Sequence, residues 1–191
     1  MNTLLFFSNN QNKIKEIKSI FRSIKINILS LNDFPIIKEP KETGKNFVEN
    51  AKIKSLFGYK NFKIPCFADD SGICISALNN RPGINSKRFL EKFKNNKEAF
   101  KYIINKTNII KNNNAVFKTS ICLTLNLNHH VVFEGKLFGK ISDTPRGKNG
   151  FGYDPIFIPT NCKKTFAEMN NNQKNIMSHR AIAINKLISF L

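Results

Sequence analysis

Apolar positions along this chain fall into short unbroken runs, stripes at helical spacing, and strict alternation. Residues 3–7 form an unbroken run suited to a buried strand, and S-N-N-Q-N-K follows at once. Ile14, Ile17, Ile20, Phe21 and Ile24 then recur at helical spacing, so the chain opens as strand, loop, helix. Residues 27–31 read as a second strand and 33–44 as a loop with Pro35 and Pro40. From residue 45 a helix is expected, with Phe47, Val48, Ala51 and Leu56 along one side, Asn46 as its cap and Glu49 at capping-box spacing. Lys52 and Lys54 read as surface lysines of that helix. Residues 73–78 are extended and end in the turn N-N-R-P-G; residues 86–93 have no clear period. Residues 96–107 read as a helix with Ala99, Phe100, Ile103 and Ile104 inward, and 111–114 as a polar linker. The plainest β signal follows: Thr119, Ile121, Leu123, Leu125 and Leu127 alternate with mostly polar neighbours. Val131, Phe133, Leu137 and Ile141 alternate back, predicting a long antiparallel hairpin with Asn128, His129 and His130 in its turn. A short strand at 156–158 and one helix over 172–191, with Ile184, Leu187, Ile188 and Leu191 inward, complete the pattern.

The chain is organised around P-C-F-A-D-D-S-G, residues 65–72. A short apolar run emptying into two carboxylates, a hydroxyl and a glycine predicts a buried strand that ends in a polar site. Neighbouring strand residues point to opposite faces. Asp69 and Asp70 therefore converge on one ligand only if the strand stops there, with Gly72 permitting the turn. The carboxyl end of a strand is where open α/β sheets bind ligands; an Asx turn closing a strand would read the same way.

Other stretches add candidate chemistry. Asn9, Asn10 or Asn12 can cap the first helix, and its leading amides, with Ser8 and Lys13, would seat a phosphate. G-K-N-G-F-G-Y-D-P, residues 147–155, brings glycines that allow close backbone approach beside the flat faces of Phe151 and Tyr153 and the acid Asp154. Lys174, Ser178, His179 and Arg180 fall near the start of the last helix, whose electropositive end suits an anionic or carbonyl-rich ligand.

Composition narrows the class. A chain of 191 residues, 41% hydrophobic and 23% charged, is an ordinary globular domain. Its first ten residues carry an apolar run of only four, with no basic leader or small-residue cleavage site, so neither a signal peptide nor a membrane span is expected and the protein reads as cytoplasmic. Cys66, Cys74, Cys122 and Cys162 have no spacing that suggests zinc or a disulfide framework and read as buried small hydrophobes, Cys162 excepted. His129 and His130 are a solvated turn rather than a metal site. The net charge of +18 invites a nucleic-acid-binding reading. Only five of the 31 basic residues are arginine, however, and Asn, Ile and Phe abound with Lys, which points to biased base composition. Against that drift, retained arginines do what lysine cannot. Arg81, Arg88, Arg146 and Arg180 lie in or beside the glycine-containing loops.

Six blocks occur in order along nearly the whole chain: S-N-N-Q-N-K from Ser8, E-T-G-x-x-F-x-E-N-A from Glu42, A-D-D-S-G from Ala68, P-G-x-x-S from Pro82, G-F-G-Y-D-P from Gly150, and S-H-R from Ser178. Together they resemble the inosine triphosphate pyrophosphatase family, the non-canonical purine nucleoside triphosphate pyrophosphatases of the Ham1 and RdgB type. The resemblance implies one two-lobed α/β domain over residues 1–191. Its central mixed, strongly twisted sheet is flanked by helices and a long hairpin, with the active-site cleft between the lobes. It also implies a homodimer with no stable nucleic-acid partner, and Mg²⁺-dependent hydrolysis of dITP, ITP and XTP to monophosphate and pyrophosphate.

By block position, Asp70 is implied to bind metal and activate water, with Glu42 and Asp69 as further carboxylates. Ser8, Asn10, Lys13, Lys54 and Lys174 are implied to supply donors to the phosphates, and Asn9, Gln11, Asn12 and Ser71 to bind the substrate. Phe151, Gly152, Tyr153 and Asp154 are implied to frame the purine, and His179 with Arg180 to select keto bases, since arginine only donates hydrogen bonds. The first loop departs from the commoner Thr-Gly-Asn, and Lys87 stands where a small residue is common. The rivals are a non-catalytic nucleic-acid-binding protein and a pyrimidine-directed pyrophosphatase of the Maf type.

Overall fold

The computed structural model describes residues 2–191. The chain divides into two compact units. The first comprises the chain up to Asp70 with Thr119–Gly135 and Arg180–Leu191; the second comprises Ser71–Lys118 and Lys136–His179.

The first unit opens as expected, with strand β1 (Thr3–Phe6), helix α1 (Gln11–Ile20) and strand β2 (Asn27–Ser30). β1 pairs in parallel with β2, Thr3 opposite Asn27, and with β3 (Cys66–Ile75), Leu5 opposite Cys66. Because helices cover both faces, β1 is apolar and buried from Leu4 to Phe6. Leu4, Phe6 and Phe67 pack with Ile14, Ile17 and Phe21 of the α1 segment and with Ala183, Ile184 and Leu187 of α6 (His179–Phe190). Leu5, Phe7, Cys66 and Ala68 form the opposite core with Leu31 and, partly buried, Phe57 of α2 (Phe47–Phe62).

α2 corrects the hydrophobic reading. Its buried residues are Asn50, Ala51, Lys54, Ser55 and Gly58, while Phe47, Val48 and Leu56 are only half-buried. The buried stripe has helical spacing but mostly polar members, so of the apolar side expected to face inward only Ala51 is fully buried. Asn46 caps the helix by accepting the Glu49 N–H at 2.9 Å, and Glu49 turns its carboxylate to the Lys45 N–H.

In the second unit β3 antiparallels β4 (Arg81–Pro82), Cys74 opposite Pro82, and β6 (His129–Ile141) antiparallels β7 (Phe157–Pro159), Gly139 opposite Pro159. α3 (Ser86–Leu90) resolves the stretch that had no clear period. α4 (Asn96–Ile110) buries the expected Ala99, Phe100, Ile103 and Ile104, and the last three join Ile73, Ile75, Phe117, Phe157 and Phe166 in one core. β5 (Asn114–Asn126) and β6 form the long hairpin, and strand order runs β2-β1-β3-β5-β6-β7 with β4 on β3. The hairpin turn is residues 127–128, so His129 and His130 belong to β6. His130 Nδ1 lies 3.0 Å from Thr124 Oγ1.

Two further expectations fail. β3 does not stop at the aspartates but runs on to Ile75. Gly72 makes no turn there: its missing side chain is required because a Cβ would collide with the Gly83 carbonyl and the Ser86 hydroxyl. The last helix is two, α5 (Asn171–Met177) and α6, separated by Ser178 in an extended conformation. Cys66, Cys74 and Cys122 are buried free thiols. Among the described residues no helix is long and apolar enough to cross a membrane.

Candidate functional site

Strand parity distributes the charged residues of the first unit. Asp69 follows Phe67 onto the face covered by α1 and α6; Asp70 follows Cys66 and Ala68 onto the face covered by α2. The two acids therefore diverge rather than converge.

Asp69, 2% exposed, is enclosed by cations: Lys13 Nζ donates to its Oδ1 at 3.0 Å and Arg180 Nε to its Oδ2 at 3.3 Å. Arg180 also pairs with Glu16 of α1. Burial works against the charge of Arg180, but Glu16 and Asp69 outweigh it and hold the guanidinium above its ordinary value. Burial lowers Lys13, reinforced by the nearby Lys54 and Arg180 and opposed by Asp69.

Asp70 lies in a different field. Asn50 Nδ2 donates to its Oδ2 at 3.0 Å, and Lys54 Nζ stands 3.9 Å from Oδ1. The same ammonium donates to Glu42 Oε1 at 2.6 Å, so Lys54 bridges the two acids. Far from being a surface lysine, it has a side chain 8% exposed. Burial would lower its pKa, yet Asp69, Asp70 and Glu42 together raise it. Asp70 is pushed above the usual carboxylate range, first by burial and further by the charge of Glu42, with Lys54, Asn50 and Lys13 offsetting part.

The loop before α1 uses many of its own amides. Asn10 proves to be the cap, its Oδ1 accepting from the Asn12 and Lys13 N–H groups at 3.1 and 3.2 Å. Ser8 Oγ accepts from the Asn10 N–H, and Glu39 Oε1 from the Asn9 N–H at 2.8 Å. Gln11 exchanges amide hydrogen bonds with Asn32.

The second unit holds the aromatic group. Asp154 Oδ2 accepts from Lys174 Nζ at 2.6 Å and from the Phe151 N–H at 2.8 Å, and the Lys174 ammonium lies 4.6 Å from the centre of the Phe151 ring. Both members of the Lys174–Asp154 pair are buried. Gly152 has a positive φ of 62°. Tyr153 is drawn into the core, donating its hydroxyl to the Ser86 carbonyl at 2.8 Å, and burial raises its pKa. The His179 ring stacks on Phe117 at 4.6 Å and 7°. Ser71 is half-buried on β3.

Sequence reasoning missed Asn50 and Glu16. Asn50 stood inside a quoted block, and its helical spacing with Lys54 was the available signal; Glu16 has none beyond its place beside Ile17 on α1.

A small set of hard oxygen donors suits a cation that takes its remaining ligands from phosphate and water. Among the described residues no group of three or more His, Cys, Asp and Glu forms a metal cage; Asp69, expected as a third metal carboxylate, has its oxygens engaged by Lys13 and Arg180, which leaves Glu42 and Asp70 as the pair to consider.

The Ham1 family model matches residues 4–190. A Flavobacterium johnsoniae protein named dITP/XTP pyrophosphatase is 40% identical over 98% of this chain and 97% of its own length. A Borrelia duttonii protein of the same name is 43% identical over 100% of this chain and 98% of its own. Among solved structures, a HAM1 protein from Coxiella burnetii matches with a TM-score of 0.88 and 34% identity, over 100% of this chain and 98% of that one. The Staphylococcus aureus Ham1 protein matches at 0.85 and 36%, over 99% and 97%. On a family match that reaches from the first strand to the last helix, the chain belongs to the Ham1 family.

Proposed function

We propose that this enzyme hydrolyses deaminated purine nucleoside triphosphates, dITP, ITP and XTP, to the monophosphate and pyrophosphate with Mg²⁺. The observation that carries the reading is the end-to-end likeness to relatives named dITP/XTP pyrophosphatase. The carboxylates on the Asp70 face fit it. Glu42 and Asp70 offer hard oxygen donors; the cation that now bridges them is the Lys54 ammonium, and Mg²⁺ would have to share the two carboxylates with it or displace it. Mg²⁺ held there would neutralise charge on the triphosphate oxygens.

The chain's own residues supply the rest. Asp70, its carboxyl held above the usual range by burial, takes the proton of a water that attacks the α-phosphorus. The bond between the α-phosphorus and the bridging oxygen breaks, and pyrophosphate leaves with its charge offset by Lys54 and Lys13. The Ser8-to-Lys13 loop receives phosphate oxygens; the seat of Glu39's carboxylate on the Asn9 N–H supports an anion there. Phe151, Gly152 and Asp154 serve the purine, with Lys174 held by Asp154; Tyr153, buried with its hydroxyl on the Ser86 carbonyl, backs that loop from the core, and Ser71 binds the substrate. His179 and Arg180 select the keto base by donor polarity. For Arg180 that role requires exchanging at least one of its carboxylate partners, Glu16 or Asp69, for the base. A homodimer belongs to the same reading, and sedimentation at the mass of two chains would support it.

The test is purified protein with Mg²⁺ against ITP, dITP, XTP, ATP, GTP and dTTP, scored for pyrophosphate against orthophosphate. The expected result is pyrophosphate from the first three, falling by about 10²–10⁴-fold in Asp70→Asn. Orthophosphate release, equal use of ATP, or preference for dTTP would contradict the proposal.

A further inference from the structure

We propose that Asn50 is a positioning residue of this site: its side-chain amide sets both Asp70 and the loop that carries Glu42. The inference rests on the pyrophosphatase reading above, which gives those two acids their roles. Asn50 is 2% exposed and stands one turn before Lys54 on α2. Its Nδ2 donates to Asp70 Oδ2 at 3.0 Å while its Oδ1 accepts the Gly44 N–H at 2.8 Å.

A short primary amide, with a donor and an acceptor on separate atoms, does both. Aspartate would keep the bond to Gly44 but set a second charge against Asp70, and leucine, of similar size, would make neither bond. The amide's sense is fixed by its partners, because a half-turn would put its NH₂ against the Gly44 N–H and its oxygen against a carboxylate.

Gly44 carries independent evidence of this fit. A Cβ there would lie 2.6 Å from Asn50 Oδ1, 2.8 Å from the Asn50 nitrogen and 2.7 Å from Glu49 Cβ. Glycine at 44, two residues after Glu42, is what lets the loop reach the amide. With Oδ2 of Asp70 held by Asn50, it is Oδ1 that stands 3.9 Å from Lys54, whose ammonium also grips Glu42. Asn50 therefore decides which Asp70 oxygen is turned towards Lys54, and it restrains the Glu42 loop.

Groups that orient a metal's carboxylates change affinity or activity by about 10- to 100-fold when removed. The test compares full-length wild type, Asn50→Leu and Gly44→Ala for Mn²⁺ binding by calorimetry, for kcat and KM on ITP, and for melting temperature. Mn²⁺ affinity is expected to drop about 10- to 100-fold in both variants, with kcat falling more than KM rises. If Asn50→Leu does not fold, Gly44→Ala, which retains Asn50 and displaces its amide, decides. Folded variants that bind Mn²⁺ as wild type does would overturn the inference, as would a wild type that binds none. A wild type that binds Mn²⁺ yet releases no pyrophosphate from ITP would instead sink the functional reading, and the variants' Mn²⁺ affinities would still judge Asn50.

Discussion

Asp69 and Asp70 are adjacent in sequence and opposite in electrostatic environment. Asp69 is enclosed by Lys13 and Arg180, whereas burial and Glu42 leave Asp70 with a raised pKa. A folded-state pKa above the unfolded one means that stability is fully present below the ordinary carboxylate range and is lost as pH rises through Asp70's own pKa. Metal-free Asp70→Asn is therefore predicted to melt higher than wild type at neutral pH, with the gap closing as pH falls through that pKa. Thermal melts against pH check this; a variant less stable at neutral pH and equal to wild type in acid would contradict it. Strand alternation sets the two acids on opposite faces only if the strand runs on, and the sequence was read as stopping there with the acids converging; nor did it tell which face meets α1 and which meets α2. Nor did it reveal Asn50 or Glu16, whose importance comes from partners 20 and 164 positions away.

At the scale of elements, legibility followed apolar contrast. α4 and β6 bury apolar residues against exposed polar ones, and their inward faces were readable; β5 is buried on both faces from Thr119 to Thr124 and Leu127 is an exposed turn residue, so its alternation did not mark an inward face. α2 buries Asn50, Lys54 and Ser55, so its inward face was not. β3 was expected to turn at Gly72, because a glycine required by close packing looks the same in sequence as one required by a turn. α2 seats itself through another such glycine. A Cβ at Gly58 would fall 2.5 Å from Cys66 Sγ and 2.8 Å from the Phe7 ring. Gly58→Ala is predicted to cost about 1–3 kcal/mol by overpacking, offset in part by about 1 kcal/mol of helix propensity. Adding Cys66→Ala should restore part of the loss; denaturant melts of the single and double variants measure it. A stabilised single variant would show that the helix is not seated on that strand.

For the molecule as a whole, the opening strand, loop and helix and the later hairpin were enough to expect an α/β chain, and the six blocks pointed to the family that the relatives share. The charge of +18 was the more conspicuous feature and the poorer guide. The cations that matter here, Lys13, Lys54, Lys174 and Arg180, are those drawn from the surface onto carboxylates. Periodicity cannot separate them from some two dozen others, because their burial depends on acids far away in sequence. At the centre of the proposed reaction is attack of water on the α-phosphorus. Hydrolysis of ITP in ¹⁸O-labelled water, with products resolved by mass spectrometry, tests it most directly. The label is predicted in inosine monophosphate and absent from pyrophosphate; label in pyrophosphate would place the attack elsewhere on the triphosphate and contradict the account.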